Sequence, residues 1–242
     1  MSENVTPYKD SNAGKKEQVT SMFDTISKDY DGLNRVISFG IDIKWRNKVV
    51  QLVKAIQPKR ILDVATGTGD LAINLVRTGA PQIVGLDISP GMLNIGKKKV
   101  TEKKLDNTID MVIGDGEKIE YPDNYFDAIT VSFGVRNFEN LEQGLAEIYR
   151  VLRNDGLFVV LETSVPTKFP FKQGYSFYTK RILPLIGKTF SKDKVAYSYL
   201  CESAALFPYG KAFNNILAKI GFKNITDRPQ TFGVATIYTA TK

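Results

Sequence analysis

Five short apolar runs separated by helix-length stretches, with a glycine turn directly after the first run, predict an α/β protein built on a doubly wound, mostly parallel sheet. Two further runs near the C-terminus, joined by a turn-rich loop, bring the sheet to seven strands and make its C-terminal strand antiparallel. Helical patterns ahead of the first run predict an N-terminal helical cap. The expected boundaries are 1–58 for this cap or lid and 59–242 for the sheet domain, with a basic, aromatic helical insertion at about 166–208.

Each element has a local reason. Val19, Met22, Phe23 and Ile26 recur at helical spacing, and Tyr30 to Val36 continue in that style. Trp45, Val49, Leu52, Val53 and Ile56 mark an amphipathic helix that ends before Pro58, whose ring and missing N–H stop it. The strands then read Arg60 to Val64, Gln82 to Asp87, Ile109 to Ile113, Phe126 to Ser132 and Leu157 to Thr163. Between them lie helices over about Asp70 to Arg77, Pro90 to Lys104 and Leu141 to Leu152, with Pro90 in a first turn that tolerates it. Phe222 to Asp227 and Thr236 to Ala240 close the sheet across Arg228–Gly233. No repeat of ~20–50 residues is present.

With 242 residues, 43% hydrophobic and 24% charged, the chain fits one large domain or two small ones and excludes disordered and collagen-like classes. No run nears the ~18 apolar residues of a membrane span, and the polar N-terminus predicts a soluble, unexported, cytoplasmic protein. Cys201 is the only cysteine, so it forms no internal disulfide and reads as a small buried hydrophobe. The absence of histidine is more restrictive, removing serine–histidine triads, zinc hydrolases and haem ligation. Any acid–base step must use carboxylate, tyrosine, lysine, an arginine-positioned water, or no protein base. No metal site is expected. The net charge of +7 favours anionic partners.

Ile61 to Leu71 reads as strand, glycine turn and helix, with Gly67-Thr68-Gly69 forming the turn. Such a Rossmann-like element can be a bare tight turn, a dinucleotide site or an S-adenosylmethionine site. Asp63 before the turn and Asp70 after it would repel a pyrophosphate but suit the ammonium and sulfonium of S-adenosylmethionine. Asp87 ends the second strand, where it can accept both ribose hydroxyls of either cofactor. Asp115 follows the third strand and can accept from an adenine amino group, with Gly116 admitting the ring. Ser132, ending the fourth strand, completes the cofactor-binding set. Lys97, Lys98, Lys99, Lys103 and Lys104 read as a solvated helix face.

On the stretch Asp63-Val64-Ala65-Thr66-Gly67-Thr68-Gly69, with Asp87, Asp115 and Phe126 to Thr130, the chain resembles the class I S-adenosylmethionine-dependent methyltransferases over about Lys59 to Thr163. Ser132-Phe133-Gly134-Val135-Arg136-Asn137, Met22 to Ser38 and Arg150 to Ser164 extend a closer similarity, to the menaquinone/ubiquinone biosynthesis C-methyltransferases, across nearly the whole sequence. Three positions depart from that family's pattern: Leu33 stands for a methionine, Asp42 for a histidine, and Asn154-Asp155-Gly156 for a Pro-Gly-Gly turn. The second departure means that no essential base can rest on a histidine there.

The resemblance implies methyl transfer from S-adenosylmethionine to a ring carbon of a polyprenylated hydroquinone, most simply demethylmenaquinol to menaquinol. The alternatives are a polyprenyl benzoquinol of the ubiquinone pathway, another small phenol, or RNA. Loss of a phenolic proton makes the carbon nucleophilic, after which alignment in a dry pocket supplies most of the acceleration. The implied catalytic residues are Arg136 and Asn137, polarising the substrate, with Tyr30 or Asp31 from the cap. Phe23 to Ser38 would fold over the cofactor as a lid or serve as plain packing.

Between Pro166 and Leu200, Lys168, Lys172, Lys180, Arg181, Lys188, Lys192 and Lys194 oppose only Asp193 and alternate with Phe169, Phe171, Tyr175, Phe177, Tyr178, Phe190, Tyr197 and Tyr199. A helix such as Tyr175 to Leu185 can line a tunnel for an isoprenoid tail while lysines meet acidic headgroups on the inner face of the cell membrane. The same composition could stack nucleic-acid bases, a disfavoured reading, or form a solvated helix with its aromatics inside.

Overall fold

The apolar runs fold as strands because helices cover both faces of the sheet, so nearly all positions of its central strands, inward and outward, are buried. The computed structural model describes residues 5–182 and 194–242. The strands are β1 (Arg60–Val64), β2 (Gln82–Asp87), β3 (Ile109–Ile113), β4 (Phe126–Ser132), β5 (Leu152–Thr163), β6 (Lys223–Gln230) and β7 (Ala235–Thr241). Their order is β3-β2-β1-β4-β5-β7-β6. Neighbours from β3 to β5 are parallel, and β7 runs antiparallel to both β5 and β6. Strand order reverses between β1 and β4, the place where such sheets open a crevice for ligands.

The helices are α1 (Lys15–Ile26), α2 (Tyr30–Ser38), α3 (Asp42–Lys54), α4 (Asp70–Leu75), α5 (Pro90–Glu102), α6 (Leu141–Val151), α7 (Phe171–Phe177, continued as a π turn through Ile182), α8 (Lys194–Leu206) and α9 (Lys211–Ile220). One core layer joins Leu62, Phe126, Leu145, Phe158 and Phe213. The other joins Trp45, Val49, Val53, Ile61, Leu75 and Ile83, which places α3 in the helical layer of the sheet. A smaller cluster of Val19, Met22, Ile26, Met92, Ala196 and Tyr199 packs α1 against α5 and α8.

Several element ends differ from the sequence expectation, three of them for a visible local reason. β5 begins at Leu152, because Asn154-Asp155-Gly156 forms a bulge within the strand, with Asp155 at φ 58°, rather than a turn before it. β6 runs on through Pro229 to Gln230; it is an edge strand, where a residue without an N–H is tolerated. α4 ends at Leu75 and passes into a 3₁₀ turn over Val76–Thr78.

Candidate active site

The loop after β1 turns through three left-handed residues, Ala65, Gly67 and Gly69. Its shape is set by carboxylates. Asp87 accepts from the Gly67 N–H at 2.7 Å and the Ser89 N–H at 2.9 Å. Burial pushes the Asp87 carboxyl up to about 6 against those bonds. Asp63 lies beneath the loop and spends its two oxygens on Thr66 at 2.7 Å and Thr130 at 2.6 Å, and burial raises it too to about 6.

A cleft of about 680 Å³ opens at these strand ends. Of the sequence-predicted cofactor residues, Gly67, Asp87, Asp115, Gly116 and Ser132 line it, together with Tyr30 and Asn137. Asp63, Thr68 and Gly69 are not on its wall. The Thr68 hydroxyl instead donates to Asp31 at 2.6 Å, and Gly69, at φ 79°, precedes α4 against Met111. Asp70 is also turned away, paired with Lys99 at 2.8 Å and Arg35 at 2.9 Å, so it offers no free charge to a sulfonium. Gly116 owes its identity to packing: a Cβ there would lie 2.9 Å from Val64 and 3.1 Å from the Phe138 ring. The buried Ser132 hydroxyl has no hydrogen-bond partner among the described residues.

α1 and α2 lie across this cleft and are fastened by polar contacts. Lys16 reaches Asp115 at 2.7 Å, and Lys15, itself buried, donates to the carbonyls of Arg136 and Phe138 at 3.2 and 2.8 Å. Burial lowers the Lys15 ammonium, while the Asp115 hydrogen bond raises Lys16. Asp24 accepts from the Ser89 hydroxyl and the Gly91 N–H at the start of α5. Asp31 accepts from Thr68 and Lys99. Lys99 is thus an inward tether, unlike the exposed Lys97, Lys98, Lys103 and Lys104 on the same segment.

A second cavity of about 1120 Å³ adjoins the cleft, and Tyr30 and Phe133 line both. Arg136 is on its wall, buried, donating to Glu162 at 2.6 Å and to the Phe133 carbonyl at 2.8 Å. Burial pulls this guanidinium down most strongly, but the Glu162 carboxylate together with Tyr30 and Tyr199 outweighs it and holds it above its ordinary value. Asn137 accepts from the Tyr199 hydroxyl at 3.2 Å, and burial drives that phenol up to about 12. Cys201, half-buried, also lines this cavity. From it an apolar groove of about 1060 Å³ continues outward, the two sharing Ile37, Ser38, Trp45, Tyr175, Tyr178 and Val234. Phe39, Phe171 and Phe232 stand exposed along the groove, the last two stacked at 3.9 Å.

Of the basic, aromatic insertion, Lys168, Phe169, Phe171, Lys172, Phe177 and Arg181 are exposed. Leu183 to Leu185, Lys188, Phe190, Lys192 and Asp193 lie outside the described residues, as do the side chains of Lys180, Lys194 and Tyr197. Tyr199 does not face outward; it is buried between α1 and α5.

Sequence reasoning assigned no role to Glu162, Lys15 or Arg46. Glu162 carried a legible signal, a lone acid ending the apolar run Leu157 to Leu161 at the rim where ligands bind. The contacts of Lys15 span more than a hundred residues and have no local signature.

The architecture is that of a class I methyltransferase. It superposes on the crystal structure of a SAM-dependent methyltransferase from Thermotoga maritima with a TM-score of 0.63, at 18% identity, covering 92% of this chain and 99% of that one. Residues 11–242 match the ubiE/COQ5 methyltransferase family, and the chain belongs to it. It is 47% identical over 242 residues to the demethylmenaquinone methyltransferase of Bacteroides fragilis, covering 99% of this chain and 98% of that protein. It is also 44% identical over 230 residues to the ubiquinone/menaquinone biosynthesis C-methyltransferase UbiE of Geobacter sulfurreducens, covering 94% and 90%.

Proposed function

We propose that the protein methylates a ring carbon of a polyprenylated naphthoquinol, converting demethylmenaquinol to menaquinol with S-adenosylmethionine as donor. The observation that carries this reading is the junction at Tyr30 and Phe133, where an acid-rimmed cleft meets an apolar cavity continuous with a groove to the surface. The first suits a nucleoside, the second a ring and the third a tail.

The cleft residues fit the donor. Asp87 has lone pairs for ribose hydroxyls, Asp115 has one for an adenine amino group, and the Ser132 hydroxyl, unpartnered among the described residues, is available to a ligand. Asp63, Thr68 and Gly69 support from behind by shaping the loop. S-adenosylmethionine, when bound, supplies the electrophilic methyl. The quinol loses a phenolic proton, and its carbon takes the methyl as the donor becomes a neutral thioether. The ring proton then leaves that carbon while the oxygen regains a proton, which restores the aromatic hydroquinone with one proton released overall. Arg136, kept cationic by Glu162, and Asn137 stabilise the developing oxyanion, and Tyr30 orients the ring at the junction. α1 and α2 act as the lid that keeps water out.

Among the described residues no helix is long and apolar enough to cross a membrane. The chain instead meets the bilayer from the cytoplasmic side, through Phe39, Phe169, Phe177 and Phe232, 62–79% exposed, with Lys168, Lys172 and Arg181 for acidic headgroups. Liposome flotation tests this: binding to acidic vesicles is expected, and absence of binding refutes it.

The decisive experiment follows labelled methyl from S-adenosylmethionine into reduced demethylmenaquinone, with reduced 2-polyprenyl-6-methoxy-1,4-benzoquinol alongside. Label in the naphthoquinol is expected. Label in both would fit the broader name of the Geobacter relative, and label in neither, with the donor bound, would refute the proposal.

A further inference from the structure

Asp42 opens α3 and is 2% exposed, yet it lines the inner cavity and is the only carboxylate among the described residues that do. One of its oxygens, Oδ2, accepts from both Arg35 and Arg46, and the other, Oδ1, accepts from the Ser38 hydroxyl at 2.7 Å. Two donors fill Oδ2, whereas Oδ1 keeps a lone pair. Burial alone would raise this carboxyl; Ser38, Arg46 and Arg35 together hold it below the usual range, so at neutral pH it is an acceptor that cannot donate. Trp45, on the same helix, lines the groove as well as the cavity and lies 6.3 Å from the Phe133 ring, which reaches the cofactor cleft. A ring on the path from groove to cleft therefore passes beside Asp42.

We propose that Asp42 is the specificity-determining residue that admits a hydroquinone and rejects the corresponding quinone, an inference that rests on the quinol reading above. A hydroquinone O–H can donate to the free lone pair of Oδ1. A quinone carbonyl sets an acceptor against an anionic acceptor, which is repulsive. The selection matches the chemistry, because only the reduced ring has a phenolic proton to lose.

The test measures binding of 2-geranyl-1,4-naphthoquinol, kept reduced under anaerobic conditions, against that of its oxidised quinone, with S-adenosylmethionine affinity as the measure of folding. The full chain is expected to bind the quinol at least ~10-fold more tightly, equivalent to about 1.4 kcal/mol. Asp42→Asn, whose amide can also donate, should bring the ratio near one and keep donor affinity within about twofold; Asp42→Glu should retain a preference for the quinol. An Asp42→Asn protein that binds donor normally and discriminates as before overturns the proposal. So does a wild-type ratio near one, which needs no variant. If the wild-type protein binds and methylates neither ring, the quinol reading itself fails.

Discussion

Removing the carboxylate of Glu162 strips a buried guanidinium of its only ion-pair partner among the described residues. Arg136 and Glu162 side chains are 7% and 0% exposed and meet at 2.6 Å. Breaking such a pair on one side costs about 3–5 kcal/mol, because the remaining charge is left desolvated. Glu162→Ala should lose that amount, and Glu162→Gln about 2–3 kcal/mol, since the amide oxygen still accepts from Arg136. At about 2–4 °C per kcal/mol for a chain of this size, the alanine variant should melt roughly 6–20 °C lower. Urea unfolding at pH 7, followed by the fluorescence of the single tryptophan, Trp45, measures the loss directly. Arg136→Met combined with Glu162→Met should recover most of the stability, because replacing both partners leaves no unpaired charge. Neither single variant nor the double should support methyl transfer, since each disturbs the guanidinium proposed to stabilise the oxyanion. Glu162→Ala unfolding within about 0.5 kcal/mol of wild type, or a double variant no better than the singles, would refute the buried-pair account. A fully active Arg136→Met, Glu162→Met protein would remove Arg136 from catalysis.

Donor affinity should fall as pH drops through about 6, by at most ~10-fold per unit, because protonated Asp87 loses acceptor strength toward ribose; Asp87→Asn should flatten that dependence in equilibrium dialysis. Asp24→Ala removes the contact of α1 with Ser89 and Gly91, and should weaken donor binding about three- to tenfold at a stability cost of about 1 kcal/mol. Unchanged affinity would make α1 simple packing. Removal of residues 1–40 should abolish donor binding, while retained affinity would rule out the lid. Phe39→Ser with Phe232→Ser should reduce vesicle binding and raise KM for long-tailed quinols more than for short-tailed ones, and equal effects on both would argue against the groove as a tail path.

The sheet was legible because its signals are local: the buried parallel strands are predominantly apolar, and Gly67, Gly69 and Pro90 punctuate their ends. The acids Asp87 and Asp115 were legible for the same reason, since Asp87 ends β2 and Asp115 follows β3 by two residues. Asp63 shows the limit of that logic. Its position is right, but two threonines, one of them sixty-seven residues away, turn it inward. Lys99 was misread because a run of lysines looks uniform in sequence, whereas one position faces Asp31 and Asp70 from other helices. Tertiary pairing of charges carries no period, so neither it nor the Arg136–Glu162 contact could be read ahead of the fold.

The cofactor cleft lies beneath α1, whereas the apolar groove opens between the α2–α3 turn, α7 and Phe232, and the two share no wall residue. The molecule therefore has two doors. With α1 in the proposed role of lid, spent donor would leave on the aqueous side without disturbing a lipid ring held from the other side. If the chain docks on a bilayer as proposed above, repeated turnover needs no desorption: the protein would stay on one bilayer patch, exchanging the water-soluble reactant from behind while successive lipids arrive by lateral diffusion. Its rate on vesicles would scale with quinol density in the membrane rather than with quinol per volume of solution.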